Sequence, residues 1–247
     1  MRLLAVVAIT LLPQTALSAE DASGLQVDAA YKSPVESNPL DRPAWRNVEF
    51  WLKREKRSDG IVSRLSTSRR WDLTSDEGGF YYGDRPELAD VNRDGETDVV
   101  AIQYVPEDGW RMVVFSVSMG EIGVLSSAEY DPAVNEAILL GVADLAANGD
   151  QYIAVIKRQE GVSGLSLYSF DGDAPVMFGP FAGYDAGPQG ALPYIRRCGD
   201  QSVFLVERSA DHTVAAVGKR AGDTELQVWN SDIPATQAGF AKAAACG

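Results

Sequence analysis

Histidine is almost missing from this chain: His212 is the one example in 247 residues. A Ser-His-Asp or Cys-His relay would have to run through it, and it falls in a predicted turn, Ser209-Ala210-Asp211-His212. No Gly-x-Ser-x-Gly elbow is present to hold a serine nucleophile. Cysteine is nearly as scarce, with only Cys198 and Cys246, so the several His or Cys ligands of a zinc site are missing. The 23 glycines are scattered among turns and form neither a phosphate-binding loop nor a dinucleotide fingerprint. No catalytic residue is therefore nominated.

Positive charge is short as well. Lys and Arg number 22 against 35 Asp and Glu, a formal charge of −13. A nucleic-acid binder needs a concentrated positive surface, so that class is excluded, whereas acidity of this size attracts cations. The one basic cluster, Lys53-Arg54-Glu55-Lys56-Arg57, precedes the turn Ser58-Asp59-Gly60 and reads as a solvated hairpin end. Long apolar runs are limited to Leu3–Leu12. That is about half of the roughly twenty residues a membrane-spanning helix needs.

The same run has Met1-Arg2 before it and Pro13, then Ala16-Leu17-Ser18-Ala19, after it. A positive start, a short apolar core and a small-residue exit are the parts of a secretory signal peptide. Residues 1–19 are thus expected to be a leader, and the mature protein to be periplasmic or secreted. In an oxidising compartment Cys198 and Cys246 are expected to form one disulfide. It would tie the tail, 235–247, to a repeat domain spanning 20–234.

That domain is read from self-similarity. Gly149-Asp150-Gln151-Tyr152-Ile153-Ala154-Val155-Ile156-Lys157 is echoed by Gly199-Asp200-Gln201-Ser202-Val203-Phe204-Leu205-Val206-Glu207. Upstream lies Gly95-Glu96-Thr97-Asp98-Val99-Val100-Ala101-Ile102-Gln103, and a fainter copy is Val48-Glu49-Phe50-Trp51-Leu52-Lys53. A period near fifty indicates blades or solenoid units. Each copy is a short run of Val, Ile and aromatics, followed by a turn and further strands. Second strands are predicted at Ile61–Ser66, Trp110–Val117, Leu165–Phe170 and Val214–Lys219. The expected fold is all-β, a small β-propeller of about four to five four-stranded blades. An N-terminal strand would finish the last blade, and a short helix is expected near Ala235–Ala245. A two-sheet β-sandwich is the alternative.

One junction carries chemistry. Asp90-Val91-Asn92-Arg93-Asp94-Gly95-Glu96-Thr97-Asp98 has oxygen-bearing side chains at positions 1, 3, 5 and 9 and glycine at 6. Calcium takes six to eight oxygens, and this alternation turns Asp90, Asn92, Asp94 and Asp98 into one loop, with the Glu96 carbonyl as a further ligand. Position 12 is Ala101 where an EF-hand needs Glu, and a strand follows, so the unit is strand–loop–strand. The stretch Glu87–Val100 resembles the FG-GAP/VCBS repeat family of calcium-loop propellers. The resemblance implies a blade with calcium between its first two strands. A second loop, Val142–Asp150, keeps Asp144 and Asn148 but has Ala146 and Tyr152 where ligands stood, and the third copy has Arg197-Cys198.

The expected function is a non-catalytic, calcium-binding module for an unknown protein or glycan partner. The competing expectation is an enzyme acting on polysaccharide through two carboxylates, which thirty-five acidic residues leave open. A third is a structural spacer. Phe80-Tyr81-Tyr82 and Trp110 flank the loop and either fill the space between units or stack on sugars.

Overall fold

A computed structural model describes residues 17–20, 25–35, 43–54, 67–75, 78–118, 121–128, 130–188, 194–199, 201–219 and 225–246. The predicted strand at Ile61–Ser66 and the end of the basic cluster lie outside them, as does most of the expected leader.

The described chain is all-β, with three antiparallel sheets and one short helix. The first sheet holds β1 (Leu17–Glu20), β2 (Leu25–Pro34), β3 (Ala44–Arg54), β4 (Thr67–Thr74), β5 (Phe80–Ala89), β6 (Asp98–Val105), β7 (Gly109–Ser118) and β8 (Glu121–Ser127). The middle sheet is β9 (Glu136–Asp144), β10 (Gln151–Gln159), β11 (Val162–Asp171) and β12 (Ala174–Ala182), each strand paired to the next. The last sheet is β13 (Tyr184–Asp185), β14 (Ile195–Cys198), β15 (Gln201–Arg208), β16 (Thr213–Gly218) and β17 (Gln227–Pro234). Helix α1 (Gln237–Ala244) follows.

The first sheet is two four-strand meanders joined at a narrow seam. β3 pairs with β4 along Asn47–Arg54 but meets β5 only at Ala44 and Trp45. The halves pack face to face, Val27, Ala29, Val48, Phe50 and Leu52 lying against Val99, Ala101, Val113 and Phe115. The described strands thus fall into four successive groups, three of four strands and the last of five, in which β13 and β14 both pair with β15.

Strand periodicity explains why the repeat cores look continuously apolar. Successive side chains on a strand point to opposite faces. In β6, Val99 and Ala101 enter the contact with β2–β3, while Val100 and Ile102 enter the contact with the middle sheet. In β10, Ile153 and Val155 face the first sheet, while Tyr152, Ala154 and Ile156 face the last. A strand covered on both faces needs apolar residues at every position. Polar groups also join sheets: Arg158 on β10 bonds Glu136 on β9 and Asp185 on β13, which Ser163 on β11 also bonds.

Among the described residues these sheets do not close into a barrel or a propeller ring, and their face-to-face packing fits the sandwich alternative. The expected closure does not occur. The first strand after the expected leader, β2, pairs with β3 and not with β17, and β1, three of whose four residues fall within the expected leader, pairs with β2, Leu17 opposite Ala29. The last sheet is instead covered by α1. Tyr194 meets Phe240 of the helix edge-on at 6.1 Å, and Phe240 is fully buried. The Thr236 side chain caps the helix by accepting from Gly239 N–H at 3.1 Å. Cys198–Cys246 then bonds the helix end to β14, Cα to Cα 5.6 Å. No helix among the described residues is long and apolar enough to cross a membrane.

Candidate functional site

The loop between β5 and β6 is shaped by its own polar side chains. Asp90 Oδ2 accepts from Gly95 N–H at 3.0 Å and closes the turn. Asn92 Oδ1 accepts from Asp94 N–H at 3.2 Å, and Asp94 Oδ1 from Glu96 N–H at 2.8 Å. Short polar side chains that bond two residues ahead stabilise such turns. Arg93 and Gly95 both have left-handed backbone, φ 63° and 86°. That conformation is easy for glycine and uncommon for arginine.

Asp98 lies under the loop at the start of β6 with no solvent exposure. Its Oδ2 accepts from Val91 N–H at 2.9 Å. No donor sits at hydrogen-bonding geometry on its Oδ1, although the Ser116 hydroxyl is nearby; Asp90 Oδ1 is likewise buried without a partner. Burial, opposed by the Val91 N–H and reinforced by the charges of Asp94 and Asp90, pushes the Asp98 carboxyl up to about 7. A buried carboxylate is unfavourable without a compensating positive charge.

These two lone oxygens belong to the first and ninth residues of the loop, where calcium ligands were expected. Asn92 and Asp94 stand beside them, each holding a bond within the loop. Glu96 contributes its N–H to Asp94. Among the described residues, no three Asp, Glu, His or Cys side chains converge as a metal-holding group. The donor set fits a hard cation in chemistry, being all oxygen with two buried carboxylate oxygens unspent.

The loop between β9 and β10 repeats the same backbone. Asp144 Oδ2 accepts from Gly149 N–H at 2.7 Å, and Ala147 and Gly149 have φ 54° and 88°. Its chemistry differs. Asp144 Oδ1 is taken by Ala146 and Asn148 N–H, so no oxygen is left over as in Asp90. Tyr152 stands where Asp98 stood, buried, with its hydroxyl raised by burial and then by Asp150 and Asp144. At the third junction, Cys198 ends β14 and carries the disulfide.

Sequence reading missed what joins the two loops. Arg93 Nη1 of the first donates to Asp150 Oδ1 of the second at 2.7 Å, while Asn92 Nδ2 donates to Asp173 Oδ1 in the turn between β11 and β12 at 3.1 Å. The repeat register contained a hint, since Asp150 occupies the place of Glu96. The aromatics flanking the loop fill space: Tyr81, Tyr82 and Trp110 are buried, with Tyr82 and Trp110 centred 4.7 Å apart. His212 is in an exposed turn, its Nδ1 2.5 Å from Glu207.

Compared with known proteins, the chain matches no family model, no curated protein and no solved structure.

Proposed function

We propose that the protein is an exported, calcium-binding array of blade-like β units of the FG-GAP/VCBS kind, serving as a non-catalytic module for a protein or glycan partner. The observation that carries the calcium reading is the pair of buried, unpartnered carboxylate oxygens on Asp90 and Asp98. A bound dication would supply positive charge to both and keep Asp98 ionised. Asp90, Asn92, Asp94 and Asp98 would hold it by side chains and Glu96 by its carbonyl.

Four groups of strands packed face to face, and one loop backbone repeated in consecutive units, support the blade reading. The array stays open in this reading because α1 covers the outer face of the last sheet, as a cap does in a stack of repeats. Export is supported by the leader-like start and by the Cys198–Cys246 bond, a chemistry of oxidising compartments. Calcium is then structural, fixing the junction from which a partner-binding face is presented.

Thermal melting in millimolar calcium and in chelator tests this reading. At tenfold excess over Kd, binding adds about 1.4 kcal/mol to stability, and extracellular sites have Kd about 10⁻⁴–10⁻³ M. Asp94→Ala should lose the calcium-dependent rise, and a rise that persists unchanged removes the site. Turnover of a polysaccharide by the purified protein would replace the module with the carboxylate enzyme.

A further inference from the structure

Arg93 is a cation planted inside an acidic loop, yet its ion pair leaves that loop. The guanidinium reaches Asp150, fifty-seven residues on in the loop between β9 and β10, and lies against Gly149. A Cβ on Gly149 would stand 3.6–3.7 Å from its Nε, Nη2 and Cζ, ordinary contact distance, so the guanidinium lies directly over that residue. One residue earlier, Asn92 bonds Asp173 in the turn between β11 and β12. Two consecutive residues of the first loop thus grip two separate turns of the middle sheet. The left-handed backbone at Arg93 is matched at Ala147, whose methyl cannot reach anything comparable.

We propose that the first loop is a cation-controlled clamp between the first and middle sheets, with Arg93 serving as the fixed counter-cation of the second loop. This rests on the calcium reading above. The physical link is competition for one guanidinium. Asp90, Asp94 and Asp98 attract Arg93 inward, while Asp150 attracts it outward. Calcium neutralises the inward set, so the balance moves to Asp150 and the second loop tightens. Coupling between two binding events is reciprocal, so the Arg93–Asp150 bond in turn favours calcium by keeping a like charge away from it. Arg93 and Asp150 side chains are 59% and 39% exposed, which limits the effect to that of a surface ion pair.

Hydrogen exchange read by mass spectrometry, with and without calcium, tests the clamp on the whole chain. In the wild type, calcium should slow exchange at residues 90–98, and at 144–150 by roughly two- to fivefold, the range of a surface pair. In Arg93→Ala and in Asp150→Asn, slowing should persist at 90–98 and vanish at 144–150. Arg93→Lys keeps the charge without the planar fork and should retain only part of it. Slowing at 90–98 alone in the wild type overturns the clamp and leaves calcium binding intact. Equal slowing at 144–150 in wild type and Arg93→Ala overturns it as well. No slowing at either loop overturns the calcium reading, and the clamp with it.

Discussion

The loops at 90–98 and 144–150 share a backbone and differ in what balances their charge. In each, an aspartate accepts from a glycine N–H five residues on, and the left-handed positions fall at the same two places. The first leaves carboxylate oxygens of Asp90 and Asp98 buried and unspent. The second spends both oxygens of Asp144 on backbone, replaces the buried acid with Tyr152 and takes Arg93 as its cation. The third junction abandons the loop, and there a covalent bond at Cys198 does the tying. A repeated scaffold thus constrains backbone conformation much more tightly than it constrains the chemistry hung on it.

The strongest way to break this comparison is to give the second loop the first loop's acid. Tyr152→Asp removes a buried ring, centred 5.9 Å from Phe178, and buries a carboxylate in its place. The combined loss is about 5 kcal/mol, from the vacated volume and the uncompensated charge. Adding Ala146→Asn restores the remaining side-chain position, and millimolar calcium should then return part of the loss in urea titrations. If calcium returns nothing, the two loops differ by more than these side chains.

A smaller effect is expected at the third junction. Cys198 and Cys246 are 48 residues apart, and opening such a bond costs about 4 kcal/mol. Cys198→Ser should lower thermal stability by that amount whether or not calcium is present, because the tie is covalent. A calcium-dependent loss would mean that the junctions are not independent.

How much of this was legible in sequence follows from the range of the interactions. The apolar runs at Val99–Ile102 and Val203–Val206 were readable because each strand carries its burial in its own residues. The helix near the C-terminus, found at Gln237–Ala244, and the disulfide were readable for the same local or compositional reasons. Closure was not. Whether an N-terminal strand joins the last sheet depends on which edge it meets, and β2 pairs locally with β3. The bulge in β5, where pairing jumps from Tyr82 to Glu87, left no trace in the alternation of residues. At the site, the loop's oxygen-bearing side chains could be counted, but the Arg93–Asp150 bond joins loops of two sheets and emerges only when they pack.

The smallest expected effect sharpens the claim of a shared backbone. Gly95 and Gly149 adopt φ 86° and 88°, where a side chain is strained wherever it sits. Gly95→Ala and Gly149→Ala should each cost about 1–2 kcal/mol in denaturant unfolding, by the left-handed penalty alone. The steric surroundings of Gly149 are permissive, since an added Cβ meets only the Arg93 guanidinium at ordinary contact distance. Equal losses would therefore report the common conformation and nothing else. If Gly95→Ala costs the same as Gly149→Ala in chelator but more in calcium, the excess measures how far calcium binding depends on the Gly95 turn. If the two already differ in chelator, the loops do not share one backbone in solution, and the second has drifted in conformation as well as in chemistry.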